Sequence, residues 1–236
     1  MRNIMLASPS HDGKVGVWHA VSLADTCKIG LTKDINVIPI YMSFDSLVQR
    51  ARNDIFKLAY ELEVDELVFI DCDQDWVASD FFKLIEHEED IVGCPVPKKS
   101  DIEQYNVKLV SKDYEVLENG LVEVDSIGTG YMKISKNAIK KIWESSREYN
   151  ELDKGKSRMV FNIAIIDGEL VSEDVMFCEK WRANGGKIYI DPTINSAHSG
   201  EKRWIGNFET WIKSLKKYTG MQETQNKKMV IDDEEI

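Results

Sequence analysis

An apolar strand that runs directly into a group of acids constrains this sequence more than any other feature. Residues 66–70 predict a buried β-strand, and Asp71-Cys72-Asp73 follows at once, with Asp75 two residues further on. In an open α/β sheet, ligands bind at the carboxyl ends of the strands. Clustered carboxylates repel one another, so they need a divalent cation or hydrogen-bond donors. Oxygen ligands suit Mg²⁺ or Mn²⁺. A solvated acidic loop would explain the same residues about equally well.

The rest of the chain indicates an α/β fold. Asn3–Ala7 is a short apolar run, and residues 47–62 carry apolar side chains at helical spacing. Strand and helix alternate up to about residue 100, which predicts a mostly parallel central sheet flanked by helices. The second half mixes helices with a hairpin that turns at Asn119-Gly120. The chain has 236 residues, enough for one such domain and short for two.

Charge and composition exclude several classes of protein. The 41 acidic residues outnumber the 30 basic ones, and the net charge of −11 gives no general attraction to nucleic-acid backbones or anionic lipids. No apolar run approaches the roughly 18 residues of a membrane span. The four cysteines form no Cys-x-x-Cys pair, which is typical of free thiols in a reducing compartment. We therefore expect a soluble protein without a membrane span, located in the cytoplasm, which would be that of the host if the chain is phage-encoded.

A second acidic motif, Ser172-Glu173-Asp174, heads an amphipathic segment. A helix N-cap followed by two acids that favour the helix dipole would account for it. Alternatively, Asp174 or Glu173 is a general base beside a pocket.

Other residues become candidates for the site because they accompany these two acidic motifs. His198 lies in a predicted loop and is either a surface residue or a third metal ligand. Gly128-Thr129-Gly130 is either a simple turn or a place where the backbone approaches a ligand closely. Trp76 and Trp204 are candidates for stacking on a sugar or a base.

In order along the chain, these motifs resemble those of glycosyltransferases of the GT-A fold, most similar to small family-2-like enzymes of bacteria and phages. Each motif is weak alone, but five in order over roughly residues 1–205 are a specific signal. They are Ala51-Arg52-Asn53, Asp71-Cys72-Asp73, Gly128-Thr129-Gly130, Ser172-Glu173-Asp174 and His198-Ser199-Gly200.

The resemblance implies a Rossmann-like nucleotide-diphospho-sugar transferase fold over residues 1–218. The nucleotide-sugar-binding half would be residues 1–100, the acceptor half residues 101–218, and a polar tail residues 219–236. The implied reaction is the metal-dependent transfer of a sugar from a nucleotide-diphosphate sugar to a hydroxyl acceptor, with inversion favoured.

The resemblance also implies a role for each matching residue. Asp174, with Glu173 beside it, would activate the acceptor. The Mn²⁺ or Mg²⁺ ion would be held by Asp71, Asp73 and His198. The donor would be bound by Ser8, His11, Arg52, Asn53, Asp71 and Asp73. The acceptor would meet Gly128, Thr129, Gly130, Trp76 and Trp204.

Three alternatives remain open from the sequence. A saccharide is the default acceptor, and a hydroxymethylated pyrimidine in phage DNA is the second, because scattered lysines could form a basic strip (Lys98, Lys99, Lys108, Lys112, Lys213, Lys216 and Lys217). A nucleotidyltransferase of related fold would usually have a glycine-rich basic loop, and Gly13-Lys14-Val15-Gly16 matches such a loop poorly. A binding module that has lost its chemistry is disfavoured by the intact acids.

Overall fold

A computed structural model describes residues 1–111, 113–152 and 154–215 of the chain. The α-helices are α1 (Val17–Thr32), α2 (Val48–Glu61), α3 (Ala78–Glu86), α4 (Lys136–Ser145) and α5 (Glu173–Ala183), and residues 208–215 are also helical. The strands are β1 (Arg2–Ser10), β2 (Ile35–Ser43), β3 (Glu66–Ile70), β4 (Gln74–Trp76), β5 (Ile91–Gly93), β6 (Val107–Leu109), β7 (Val122–Ile127), β8 (Tyr131–Ser135), β9 (Glu148–Glu151), β10 (Gly155–Arg158), β11 (Ala164–Ile166), β12 (Glu169–Val171), β13 (Ile188–Ile190), β14 (Ser196–Ser199) and β15 (Arg203–Ile205). The predicted tail, residues 219–236, lies outside the described residues.

Eight strands form one central sheet in the order β2-β1-β3-β8-β5-β13-β7-β6. The predicted α/β class is confirmed, but the expectation of a mostly parallel sheet is wrong, because the sheet is mixed. β1 is parallel to β2 and β3, whereas β8 runs antiparallel between β3 and β5. The reason is local: β8 begins where β3 ends, with Tyr131 opposite Ile70. An apolar run fits a buried strand in either direction, so its pattern does not reveal this reversal.

The sheet buries an apolar layer on each face because successive side chains of a strand point to opposite sides. Met5 and Ala7 of β1 pack with residues of α2, α4 and α5. Ile4 and Leu6 of the same strand pack with residues of α3, and with partly buried residues of α1. Strands from residues 1–100 and from residues 101–215 both belong to this sheet, so the two predicted halves share one framework.

Smaller sheets lie beside the central one. β4 pairs with β14, and β14 pairs with β15, so that Gln74 lies opposite His198. His198 is therefore on a strand and not in the predicted loop. β9 with β10 and β11 with β12 form two hairpins. Among the described residues, no helix is both long enough and apolar enough to span a membrane.

A buried acid fixes the chain after β13 to the end of α3. Asp191 is only 2% exposed and binds Lys83 Nζ (2.8 Å) and His87 Nε2 (2.9 Å). It also accepts a hydrogen bond from the backbone N–H of Thr193 (2.9 Å). Burial alone would raise the pKa of Asp191, but the hydrogen bonds from His87, Lys83 and Thr193 outweigh it and hold the pKa well below the ordinary value. The ionised form therefore stabilises the fold.

We predict that Asp191→Asn lowers the free energy of unfolding by about 2 kcal/mol at pH 7, because it removes the charge that Lys83 and the hydrogen-bond donors His87 and Thr193 face. A depressed folded-state pKa stabilises above the ordinary pKa of about 4 and loses that stabilisation as the pH falls below it. The difference in free energy of unfolding between the two proteins, measured with urea, should therefore begin to shrink below about pH 4 and continue to shrink as the pH falls toward the depressed pKa of Asp191. Asp101→Asn is the matched control, since Asp101 is exposed and pairs with Lys202 on the surface; equal losses in the two variants would contradict the prediction.

Candidate functional site

The acids after β3 lie at a junction between three elements. The backbone N–H of Asp71 donates to the carbonyl of Gly130 (2.9 Å), which joins the end of β3 to the start of β8. The backbone N–H of Gln74 then donates to the carbonyl of Asp71 (3.0 Å), so the chain turns sharply into β4. This turn separates the three acids in direction. Asp71 faces Arg52 of α2, Asp73 faces β14, and Asp75 binds Arg203 (3.0 Å).

Arg52 of α2 holds three carboxylates with one guanidinium. Its Nη1 donates to Glu173 Oε1 (2.6 Å) and Asp174 Oδ1 (2.7 Å), and its Nη2 donates to Asp71 Oδ1 (3.2 Å). Arg52 is only 4% exposed. The Asp71 carboxylate and the Ser172-Glu173-Asp174 motif, far apart in sequence, thus meet at one buried cation.

The charges in this group act on one another strongly. Burial disfavours the charge on Arg52, but Asp71, Asp174 and Glu173 outweigh it and raise the arginine pKa. Burial raises the pKa of Asp71 against the opposing effect of Arg52, and the neighbouring acids Asp174 and Asp73 add to the rise. Burial, together with the charge of Asp174, also raises the pKa of Glu173. One positive charge therefore serves three acids that would otherwise repel one another.

Asp174 is held at one oxygen. Thr129 Oγ1 donates to the same Oδ1 that Arg52 binds. The other oxygen, Oδ2, lies beside Gly128, where a Cβ atom would be 3.7 Å from it. Asp174 and Gly128 both line an open cavity of about 400 Å³. A carboxylate fixed at one oxygen and turned to a cavity with the other is suited to accept a proton from a ligand.

Asp73 forms a second cluster with His198 and Lys99. Its Oδ2 accepts from Lys99 Nζ (2.6 Å) and lies 3.3 Å from His198 Nε2. Burial alone would raise the pKa of Asp73, but the hydrogen bonds from His198 and Lys99 lower it to about 2. Asp73 is therefore ionised at any physiological pH.

Two of the residues predicted to bind a metal ion, Asp73 and His198, lie together in this second cluster. His198 Nδ1 lies 2.9 Å from the carbonyl oxygen of Pro97, and Nε2 lies on the side of Asp73. If Nδ1 keeps its proton for that carbonyl, Nε2 is the nitrogen that would bind a cation, in place of its hydrogen bond to Asp73. A carboxylate oxygen and an imidazole nitrogen are ligands that Mn²⁺ accepts. Asp71 is turned to Arg52 instead, and within the described ranges no group of three or more Asp, Glu, His or Cys side chains converges on one point. Two of the three predicted ligands are thus brought together.

Two cavities meet at Asp71. The one described above is lined by Asp71, Gln74, Val96, Pro97, Lys98, Lys99, Asn106, Ile127, Gly128, Gly130, Asp174 and His198. The other, about 370 Å³, is lined by Pro9, Ser10, His11, Asp45, Ser46, Val48, Gln49, Ala51, Arg52, Asp71, Cys72 and Asp73. Together they form a continuous row of polar groups along the carboxyl ends of β1 and β3.

Several predicted site residues do not reach these cavities. Ser8 is fully buried in β1. Asn53 bonds the backbone of Phe161 through both amide atoms (2.7 and 3.0 Å), which is a structural role. Trp76 is 5% exposed and donates to Thr26 Oγ1 (2.9 Å) inside the core, so it is not placed for stacking on an acceptor. Trp204 is half-buried in β15 and does not line either cavity.

Some residues of the site were missed by the sequence analysis. Gln74 and Asn106 line the first cavity, and neither belongs to a motif. Lys99 was predicted only as part of a basic strip, and here it binds Asp73. The one available signal for Gln74 was its place within the acidic turn that follows β3.

Comparisons with known proteins bear on the fold. No protein-family model matches the sequence, and no curated protein does. Among solved structures, A197 from STIV matches with a TM-score of 0.50 and 19% identity over 85% of this chain and 86% of that chain. This likeness shows a shared fold, and the GT-A-like α/β fold expected from the motifs is confirmed.

Two further solved structures are more distant. A glycosyltransferase involved in glycosylation of the major capsid of PBCV-1 matches with a TM-score of 0.35 and 12% identity, over 61% of this chain and 66% of that one. Residues 1–349 of S. aureus TarS match with a TM-score of 0.43 and 14% identity, over 80% of this chain and 58% of that one.

We predict that Arg52→Met lowers the free energy of unfolding by about 3 kcal/mol at pH 7, because three carboxylates lose their shared cation. Without Arg52 the folded-state pKa values of Asp71 and Glu173 rise further, and a raised carboxylate pKa adds stability as the pH falls. The loss in free energy of unfolding caused by Arg52→Met, measured with urea, should therefore become smaller as the pH falls from 7 to 5. Arg50→Met is the control, since Arg50 is exposed and pairs only with Asp45 at the surface; it should cost under about 1 kcal/mol. A pH-independent deficit in Arg52→Met would contradict the prediction.

Proposed function

We propose that this protein is a metal-dependent glycosyltransferase that moves a sugar from a nucleotide-diphosphate sugar to a hydroxyl acceptor. One observation carries the proposal: Asp174, His198 and the carboxylate of Asp71 line a single cavity in a GT-A-like fold. A group able to accept a proton and a group able to bind a cation thus face the same space. Glycosyl transfer needs both, one for the acceptor hydroxyl and one for the departing diphosphate.

Asp174 is the general base of this proposal. Arg52 and Thr129 both donate to Oδ1, which orients the carboxylate and leaves Oδ2 toward the cavity. An acceptor hydroxyl bound there would give its proton to Oδ2 as it attacks the sugar. A single base opposite the leaving group favours direct displacement, and hence inversion. Arg52, which was predicted to bind the donor, acts in this scheme as a positioning residue.

Asp73 and His198 are the residues that would hold a divalent cation. Mn²⁺ or Mg²⁺ bound there would supply a Lewis acid for the diphosphate oxygens. Lys99 adds a second positive charge at the same carboxylate, 2.6 Å from Asp73 Oδ2. The second cavity, with His11 and Ser10 at its rim, continues from Asp73 and is the place that we assign to the nucleoside.

The charge pattern favours a saccharide acceptor over DNA. Of the lysines in the predicted basic strip, Lys99 pairs with Asp73, Lys108 with Asp125 and Lys213 with Glu209. Paired lysines give little attraction to a phosphate backbone. Lys112, Lys216 and Lys217 lie outside the described residues.

The test is turnover of a panel of nucleotide sugars with Mn²⁺ and Mg²⁺. We expect Asp174→Asn to lower kcat at least 100-fold while donor binding changes less than about threefold, since a base acts mainly in the transition state. Asp73→Asn should instead weaken metal-dependent donor binding, measured by isothermal titration. Asp75→Asn is the matched control, because Asp75 belongs to the same acidic turn but binds Arg203.

Two results would contradict this function. Turnover that survives unchanged in both Asp73→Asn and Asp174→Asn would remove the assigned chemistry. Nucleotide-sugar binding without turnover for any acceptor would leave a binding module. A bound fraction on hydroxymethylated duplex DNA that falls with rising salt would instead support the nucleic-acid acceptor.

A further inference from the structure

Gln74 carries a buried amide that lacks a partner. The residue is 2% exposed, and among the described residues no donor reaches its Oε1 atom. Buried polar side chains are nearly always hydrogen-bonded, and each exception calls for an explanation. Gln74 lines the same cavity as Asp174 and His198, so the unpaired oxygen belongs to the candidate site.

The backbone of Gln74 is fixed on both sides. Its N–H donates to the carbonyl of Asp71 (3.0 Å), and its carbonyl lies 3.0 Å from His19 Nδ1. Strand pairing places Gln74 opposite His198, and the side chain of the neighbouring Asp75 binds Arg203. The backbone of Gln74 therefore has a fixed place beside the cavity that its side chain lines.

Gly130 leaves the room that this amide occupies. A Cβ atom at Gly130 would lie 2.3 Å from Gln74 Nε2 and 3.1 Å from Asp71 Oδ2. The absence of a side chain at residue 130 thus lets the Gln74 amide lie next to the Asp71 carboxylate. The sequence motif Gly128-Thr129-Gly130, predicted to meet the acceptor, here makes space for a protein side chain.

The chemistry of the unpaired atom restricts its partner. A carbonyl oxygen accepts hydrogen bonds, so it repels the oxygens of a diphosphate and needs a hydrogen-bond donor. The nucleoside is assigned to the other cavity, which Gln74 does not line. In the proposed function the transferred sugar lies between the cation-binding side at His198 and the base Asp174, and its hydroxyls are donors.

We propose that Gln74 is a specificity-determining residue whose Oε1 accepts a hydrogen bond from a hydroxyl of the donor sugar. This inference rests on the proposed function. A site built to hydrogen-bond a hydroxyl discriminates strongly against a ligand that lacks it, because its own buried group then stays unpaired.

The experiment compares ligands with and without the sugar. Isothermal titration in the presence of Mn²⁺ uses UDP, GDP and dTDP, and then UDP-glucose, GDP-mannose and dTDP-glucose. Gln74→Met keeps the length of the side chain and removes the acceptor. Gln74→Leu is a second apolar variant, and Gln104→Met is the control, since Gln104 is exposed.

We expect both Gln74 variants to bind the preferred nucleoside diphosphate within twofold of the wild type and to bind its sugar conjugate at least tenfold more weakly. The midpoint of thermal unfolding of Gln74→Met without ligand should equal or exceed that of the wild type, because an unpaired buried amide has been removed. Gln104→Met should change neither affinity.

The inference is overturned if the Gln74 variants lose affinity equally for the nucleoside diphosphate and for its sugar conjugate. It is overturned as well if they keep the wild-type affinity for both. It is also overturned if only the KM for the acceptor changes, since Gln74 would then contact the acceptor. A wild-type protein that binds none of the six nucleotides would contradict the proposed function itself. Unimpaired nucleoside-diphosphate binding and thermal unfolding show that a variant is folded.

Discussion

The geometry of the candidate site depends on one buried positive charge, the guanidinium of Arg52. Arg52 joins Asp71 at the end of β3 to Glu173 and Asp174 at the start of α5, residues more than 100 positions apart in the chain. Burying three carboxylates together is unfavourable unless a positive charge lies among them. Because the guanidinium is planar and presents several fixed donors, it sets both the distance and the orientation of the acids it binds. The position of the proposed base therefore follows from the packing of α2.

The two acids of the Asp71-Cys72-Asp73 motif have opposite environments. Burial raises the pKa of Asp71, which is committed to Arg52. His198 and Lys99 lower that of Asp73 to about 2 despite its partial burial. The two acids of the motif therefore have different roles in the proposed function: Asp71 belongs to the framework of the site, and Asp73 is the carboxylate that would bind a cation. Lys99 occupies that carboxylate in the structure, so a metal ion must share Asp73 with the lysine or displace it.

Sequence patterns predicted the parts of this site that follow from one continuous segment. The apolar run before Asp71 predicts a strand, and the cap position of Ser172 predicts the start of a helix. Both elements are present, as β3 and α5. The direction of β8 was not predictable, since its apolar side chains fit either orientation. Trp76 was expected at the site because it adjoins the acids, and Asn53 because it belongs to the Ala51-Arg52-Asn53 motif. Strand alternation and the packing of α2 turn both side chains into the core. Burial is decided by distant residues that a motif does not contain.

The same limit explains why Gln74 was missed. Its neighbours Asp73 and Asp75 attract attention as acids, but a glutamine in a polar turn has no distinguishing pattern. What marks Gln74 is a missing partner, and that is a property of the packed structure alone. In a stable core such an atom would be a defect, whereas in a cavity lined by Asp174 and His198 it is an acceptor held ready for a ligand. The hydrogen bonds that the Gln74 backbone makes with Asp71 and His19 fix the place beside the cavity from which this side chain extends.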